Sequence, residues 1–397
     1  MPTKPTADIW LFLHRWIGLV TALFMLVAAI TGSVLAFRVT LDHWANHDLL
    51  VYDGKAEDRL PVLDLVTGYE NANPDLQVVG FPLNPGPRDT LALKIAPLPG
   101  GAPIHETEVF LAPDTGAVIG ARSVEPGWSR RQLVPLLAEI HFNLLAGNAG
   151  RIFLGGVAIA WLFSSCVGFY LTLPKRGPFF AKWWPAWTYS PKRSFARQML
   201  DLHRASALWL FPVVIAIAAT SVTLNFYSEF WSPLATTIAP LEKSLFDEAA
   251  PFPAGTTPDL AFADALGFAQ AEAARAGVEW QPATMLYLPD WNLYGVTLSD
   301  NGLLNYKYMG PIYYYFDAAT GAYAHEVNPY TDSFGLKMIR TIYPLHSGEI
   351  GGPFTVFLVF VLGLATTEMC VTGIWVWWKK RGPRIAARKK AELASET

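Results

Sequence analysis

Four histidines of this chain, His14, His141, His203 and His346, recur at matched places in two halves of the sequence, each close to the end of an apolar run. An ionisable ring in such a run is costly in lipid and is expected to face the interior of a helix bundle. For one histidine alone, an interfacial or hydrogen-bonded side chain is explanation enough. Two symmetric pairs point further, because a two-fold axis sets His14 against His203 and His141 against His346. Facing histidines on different helices of a bundle form a cofactor site. Zinc would call for further Cys, Asp or Glu ligands repeating with them, and none does. Two imidazoles presented from opposite sides of a macrocycle suit a non-covalent, bis-histidine b-type haem, whose porphyrin supplies the other four ligands. Cys166 and Cys370 both lie in apolar runs and in no C-x-x-C-H motif, so a disulfide framework and a covalent c-type haem are both excluded.

Other residues are candidates of a second kind. Arg15 and Arg204 each follow an inner histidine and could pair with haem propionates or with phospholipid headgroups; Arg151 offers the same choice at the outer end of the second apolar run. Glu368 lies near the middle of the last run, where it could relay protons, hydrogen-bond a quinol, or stay protonated against Thr366 and Thr367. His43 and His47 have the i, i+4 spacing of two ligands on one helix face but no counterpart in the second half. His105 and His325 are expected in outer loops. The run Tyr306, Tyr308, Tyr313, Tyr314, Tyr315 and Phe316 could line a surface for a bulky organic ligand or be ordinary sheet, and Trp183, Trp184, Trp187, Trp375, Trp377 and Trp378 fit an interfacial aromatic belt.

The elements that must position these groups follow from composition. With 52% hydrophobic and 16% charged residues and a mean hydropathy of +0.26, the 397-residue chain is expected to be a membrane protein. Four stretches reach the roughly 20 residues needed to cross a bilayer as helix: Trp16 to Phe37, Ile152 to Leu173, Ala205 to Tyr227 and Phe354 to Trp378. The first is too long for a signal-peptide core and is expected to stay as an uncleaved anchor. Basic residues cluster between the second and third stretches (Lys175, Arg176, Lys182, Lys192, Arg193, Arg197, Arg204) and in the C-terminal tail, which predicts that both, with the N-terminus, are cytoplasmic. The expected order is a cytoplasmic N-terminus and first span (1–37), an outer domain (38–149), a second span (150–174), a basic loop (175–201), a third span (202–227), a second outer domain (228–352), a fourth span (353–378) and a basic tail (379–397). Alternating segments such as Thr90-Leu91-Ala92-Leu93-Lys94-Ile95 and Asn292-Leu293-Tyr294-Gly295-Val296-Thr297-Leu298 predict an α+β fold in each outer domain, with proline-rich loops at Pro82 to Pro87 and Pro251 to Pro258.

Residues Gly116 to Pro178 can be laid without a gap on Gly321 to Pro383, so that His141 meets His346, Gly168 meets Gly373, and Lys175-Arg176-Gly177-Pro178 meets Lys380-Arg381-Gly382-Pro383. Leu13-His14-Arg15 likewise matches Leu202-His203-Arg204, and Thr31 and Thr220 follow at equal spacing. Both halves enter from the same side, so they are parallel repeats about an axis along the membrane normal. Continuous helix at 1.5 Å per residue would lift His141 roughly 16 Å above Ile152. The glycines Gly147, Gly150, Gly348, Gly351 and Gly352 predict a break that folds a short segment back over the membrane surface instead.

Leu13-His14-Arg15-Trp16-Ile17-Gly18 running into Thr31-Gly32, Leu345-His346-Ser347-Gly348, Gly168-Phe169-Tyr170-Leu171, Gly373-Ile374-Trp375-Val376, Asp114-Thr115-Gly116 and Asp317-Ala318-Ala319-Thr320-Gly321 together resemble the PepSY-associated transmembrane family over nearly the whole chain. The resemblance extends to bacterial inner-membrane ferric-siderophore reductases. It implies a four-span inner-membrane protein with two large PepSY-like periplasmic domains and two b haems, in which electrons reach the His14/His203 haem, cross to the His141/His346 haem and reduce siderophore-bound iron outside. No glycine fingerprint of a nucleotide or flavin domain is present, so a quinol or a separate cytoplasmic reductase is the expected donor, with membrane lipid as solvent and no nucleic acid among the partners. The rival readings are a non-enzymatic sensor or protease-regulating membrane protein, and a di-haem reductase of another periplasmic redox protein.

Overall fold

A computed structural model describes residues 4–54, 58–238, 257–304 and 309–395. The helices are α1 (Lys4–Leu35), α2 (Arg38–Ala45), α3 (His47–Leu50), α4 (Val62–Ala72), α5 (Leu133–Asn143), α6 (Gly147–Thr172), α7 (Phe179–Trp183), α8 (Phe195–Trp209), α9 (Phe211–Asn225), α10 (Ser232–Ile238), α11 (Phe262–Arg275), α12 (Phe334–Ser347) and α13 (Pro353–Ser395). The strands are β1 (Leu76–Pro82), β2 (Leu91–Pro97), β3 (Glu108–Leu111), β4 (Val118–Arg122), β5 (Gln281–Leu288), β6 (Leu293–Ser299), β7 (Ile312–Asp317) and β8 (Tyr323–Val327). The chain divides into a helical unit (Met1–Phe37, Leu137–Ser232, Leu345–Thr397) and a sheet unit (Arg38–Leu136, Pro233–Pro344).

In the sheet unit the two outer segments are not separate domains. All eight strands form one antiparallel sheet in the order β4-β3-β2-β1-β5-β6-β7-β8. Each half supplies four strands, and the halves join where Gly80, Phe81 and Pro82 of β1 pair with Leu286, Met285 and Thr284 of β5. Two independent domains would leave β1 and β5 as open edges with unpaired backbone groups and apolar side chains, which joining removes. The alternating segments noted in the sequence are β2 and β6. In β2, Leu91, Leu93 and Ile95 are buried while Lys94 between them is exposed. One continuous core gathers Val78, Leu91, Leu93, Met285, Val296 and Tyr314 under α4 and α11. The α11 face carries Ala265, Ala269 and Ala273, small side chains that let the helix lie close to the strands. Gly116 and Gly321 close the β3–β4 and β7–β8 hairpins at φ +73°, the left-handed region where glycine has no Cβ penalty.

The sheet unit also settles several expectations. Tyr314 and Phe316 are buried core residues of β7, while Tyr313 and Tyr315 stack with ring centres 6.1 Å apart. Tyr306, Tyr308 and residues 251–256 of the expected proline-rich loop lie outside the described residues. His105 is an exposed loop residue, whereas His325 belongs to strand β8, opposite Tyr315. His43 and His47 do not share a helix face: α2 ends at Ala45 and α3 begins at His47, because Asn46 leaves helical geometry (φ −122°, ψ 32°) and donates its side-chain amide to Asp42.

Among the described residues of the other unit, three helical stretches are long and apolar enough to cross a membrane: Asp8–Leu35, Gly147–Thr172 and Pro353–Gly382. The expected third span, Ala205 to Tyr227, falls on a bent pair, α8 and α9, meeting at 72°. Pro212 explains the break, since proline lacks the N–H of an interior helix position and its ring clashes with the carbonyl four residues back. These helices pack in a ring: α1 touches α6 and α13, α9 packs on α6, and α8 packs on α13. Residues 137–149 and 345–352, expected in the outer domains, belong to this helical unit.

Within the sheet unit, Arg122 is the main buried ionic junction. Its guanidinium spans Asp42 (2.8 and 3.0 Å) and Glu108 (2.8 Å), with side-chain exposures of 12%, 20% and 13%. Removing the cation would leave two largely buried carboxylates uncompensated. Arg122→Ala is therefore expected to destabilise the protein by about 2–4 kcal/mol, read as a fall in Tm of the purified full-length chain. Arg122→Lys should recover less than half of the loss, because a lysine cannot bridge both carboxylates with fixed geometry.

Candidate functional site

The four repeat-matched histidines lie in the helical unit, and each is tied to a neighbouring helix through the same ring nitrogen. His14 Nδ1 on α1 lies 3.0 Å from the Ser164 carbonyl of α6. His203 Nδ1 on α8 lies 3.0 Å from the Met369 carbonyl and 3.2 Å from the Thr372 hydroxyl of α13. His141 Nδ1 on α5 meets the Ala28 carbonyl of α1 at 3.0 Å and the Thr31 hydroxyl at 3.1 Å. His346 Nδ1 on α12 meets the Thr220 hydroxyl of α9 at 3.0 Å and bonds the Ile217 carbonyl. These partners are themselves repeat-matched: Ala28 corresponds to Ile217, Thr31 to Thr220 and Ser164 to Met369.

The hydroxyls fix the tautomer. Thr31, Thr220 and Thr372 donate their own protons to carbonyls one turn back, at Val27 (2.7 Å), Ala216 (2.8 Å) and Glu368 (2.8 Å). Each oxygen can then only accept from the imidazole, so the ring proton sits on Nδ1 and the lone pair on Nε2. A carbonyl or hydroxyl accepting from the distal N–H is the arrangement that orients a metal-ligating histidine and raises its basicity.

The rings come together as the sequence predicts. His14 and His203 have ring centres 6.3 Å apart with planes at 69°, and His141 and His346 are also 6.3 Å apart with planes at 51°. Two imidazoles binding one metal from opposite sides through nitrogen at about 2.0–2.1 Å, with about 1.1 Å from nitrogen to ring centre, would place their centres roughly 6.2–6.4 Å apart, whereas a tetrahedral angle would bring them to roughly 5 Å. Among the described residues no group of three or more His, Cys, Asp or Glu side chains could hold a metal ion. Two imidazoles are the protein donor set that a bis-histidine haem would need, its macrocycle supplying the other four ligands, whereas structural zinc would call for further protein ligands.

Close packing supports the rings. A Cβ added at Gly32 would lie 2.8 Å from His141 Cε1, one at Gly168 would lie 3.0 Å from His14 Cε1, and one at Gly373 would lie 3.3 Å from His203 Cε1. The expected fold-back is also present. After α5 the chain turns through Leu144 (φ 56°) and Leu145 (φ 61°) before α6 starts at Gly147, and after α12 it turns through Gly348 (φ 82°) and Gly352 (φ 69°). The first turn is made by two leucines in the left-handed region, which costs roughly 1–2 kcal/mol per residue. It begins earlier than the glycines indicated.

Two of the three basic candidates, Arg204 and Arg151, point at carboxylates of the chain itself. Arg204 reaches Asp201 at 2.9 Å, and the same fully buried carboxylate also receives Arg193 at 2.7 Å and Arg197 at 3.3 Å. Arg151 pairs with Glu229 and also donates to Asn148 and to the Asn225 carbonyl, tying the start of α6 to the end of α9. Arg15 is half-buried beside His14. Glu368 has Ser206 and Thr372 rather than Thr366 and Thr367 as its polar neighbours, and neither carboxyl oxygen completes a hydrogen bond. The residues that sequence reasoning missed are the tethers. Thr31 and Thr220 were visible as equally spaced threonines, whereas Ser164, Thr372 and Asp201 carried no signal.

A bundle of long apolar helices enclosing two tethered histidine pairs marks a membrane protein. The chain belongs to the PepSY-associated TM region family, whose model matches residues 11–380. A comparison with curated proteins gave no match.

The tight contact at Gly32 gives a direct test of the packing. Gly32→Ala should force the His141 ring aside at a cost of about 1–3 kcal/mol, the range for overpacking. Gly156→Ala, whose Cβ meets nothing within 4 Å, should leave stability unchanged or slightly higher. Thermal unfolding of the two variants in the same detergent measures the difference.

Proposed function

We propose that this protein is a di-haem electron-transfer protein of the bacterial inner membrane. In this reading His14 and His203 hold one b-type haem, His141 and His346 hold a second, and electrons from a quinol or a cytoplasmic reductase reduce ferric iron carried by a siderophore in the periplasm. The observation that carries the reading is the pair of equal 6.3 Å imidazole separations, each ring tethered through Nδ1 so that Nε2 is the ligating atom. Haem at such a site supplies a one-electron ferric/ferrous couple. The chain's part is to fix ring orientation through the carbonyl and hydroxyl acceptors, to keep both imidazoles neutral among apolar helices, and to exclude water.

Spacing along α1 supports transfer across the membrane. His14 belongs to the inner pair, and Ala28, which tethers His141 of the other pair, comes fourteen residues later. That is about 21 Å of helix, against a hydrocarbon core of about 30 Å. The two pairs therefore sit near opposite ends of the bundle. In the proposed orientation the basic loop 175–201 and both termini are cytoplasmic, the chain crosses four times with α8 and α9 sharing one crossing, and the eight-stranded sheet is periplasmic.

Two outcomes test the reading. The purified protein should contain two acid-extractable b haems per chain with the spectrum of low-spin bis-histidine iron; His203→Ala should lose one and His346→Ala the other, and a protein that binds no haem under adequate haem supply sinks the proposal. Chemically reduced wild type should be reoxidised by a ferric siderophore, with ferrous iron appearing in a chelator trap, but not by the iron-free siderophore. His346→Ala should retain a reducible inner haem and release no ferrous iron. Reoxidation by a periplasmic redox protein and by no ferric siderophore would remove the siderophore from the reading and leave the two haem sites standing.

A further inference from the structure

Glu368 is the polar group that the histidine site does not use. It lies at the middle of the Pro353–Gly382 apolar stretch, with both carboxyl oxygens buried beside the Ser206 and Thr372 hydroxyls but in a well-formed hydrogen bond with neither. A carboxyl left in this state at mid-membrane is expensive to retain unless something binds it.

The repeat sharpens the point. Glu368 corresponds to Phe163 in the first half, and its neighbour Ser206 corresponds to Ile17. Two positions that are apolar on the packed helices α1 and α6 are thus both polar on the packed helices α8 and α13. The paired change marks the α8–α13 seam as serving a purpose the α1–α6 seam does not. That first-half seam is an open apolar groove lined by Trp16, Ile17, Val20, Thr21 and Ala160.

Position on α13 shows what could reach the carboxyl. Phe357, Leu364, Val371 and Trp378 form an exposed stripe at seven-residue spacing, each more than half exposed. Glu368 stands four residues after Leu364 and three before Val371, at the margin of that stripe, while Thr372 one turn on is buried and touches His203. Ser206 is likewise one turn beyond His203 on α8. The carboxyl therefore lies between the lipid-facing surface and the inner histidine pair, one helical turn from His203 on both helices.

We infer that Glu368 and Ser206 form the binding site for a lipid-soluble quinol, the electron donor to the inner histidine pair. The inference rests on the di-haem reading for its electron acceptors. The ligand must partition into the hydrocarbon core, donate a hydroxyl hydrogen bond to an unpartnered carboxylate, and yield electrons beside His203, and a quinol does all three. On oxidation both quinol O–H bonds break and the quinone forms. The two electrons would pass one at a time to ferric haem iron held by the histidine pairs, one proton would pass to the Glu368 carboxylate, and the second would pass to water.

The test has a binding arm and a redox arm. A fluorescent quinol analogue, 2-heptyl-4-hydroxyquinoline N-oxide, should bind the detergent-solubilised wild type saturably, and Glu368→Gln and Ser206→Ala should each weaken binding about tenfold or more. Decylubiquinol should reduce the haem of wild type, and Glu368→Gln should slow that reduction by at least as much while dithionite still reduces the same amount of haem. Phe163→Leu at the equivalent first-half seam should behave as wild type in both arms. No saturable binding by wild type, or Glu368→Gln binding and reduction equal to wild type, overturns the inference. If the protein holds no haem, the di-haem reading fails on its own, and loss of analogue binding in Glu368→Gln still supports the quinol site.

Discussion

Imidazole-to-backbone hydrogen bonds between helices hold the helical unit in one arrangement. Each joins a histidine on one helix to a carbonyl on another: α1 to α6, α8 to α13, α5 to α1, and α12 to α9. A single such bond contributes only about 1 kcal/mol net, but it does three things together. It satisfies a buried N–H, sets the axial register of two helices, and leaves the other ring nitrogen as a lone-pair donor. Slipping any helix by one residue would break the tether and turn the ring away from its partner. The repeat supplies the same solution twice, with carbonyls at corresponding positions, which is why the two ring pairs have the same separation.

Much of this was legible in the sequence for a physical reason. Duplication turns four scattered histidines into two pairs without any knowledge of contacts, because a symmetry axis converts equal sequence positions into facing side chains. Hydropathy found α1, α6 and the apolar part of α13, and alternation found β2 and β6. The joining of the two outer segments was not legible. The β1–β5 pairing links residues about 200 positions apart, and a strand that alternates buried and exposed side chains looks the same whether its edge is open or paired. The bend in the third span was overlooked because hydropathy sums over Pro212, whose effect is on the backbone. Arg204 and Arg151 looked available to an anion in solution or in a cofactor; Asp201 and Glu229 reach them only in three dimensions.

The halves are alike in what holds the histidines and unlike in what surrounds them. Gly32 and Gly168 press on the rings in the first half, and Gly373 does so in the second at a slightly longer distance. Asp201, which gathers three arginines, corresponds to Phe12 in the first half, and Glu368 corresponds to Phe163. Both departures put an acidic residue in the second half where the first has phenylalanine. A duplicated scaffold thus keeps its histidine geometry fixed by symmetry while the surroundings of those histidines differentiate in one half.

The central seam of the sheet has a consequence for how the chain is made. During synthesis β1 is complete roughly 200 residues before β5, which at about 5–20 residues per second is some 10–40 s. Through that interval the nascent first half carries an apolar strand edge with its natural neighbour not yet in existence, the kind of edge that captures foreign strands. Pro82 closes β1 with a residue that has no N–H to offer such a neighbour. The strand is therefore guarded at one end while it waits for the second half of its own chain.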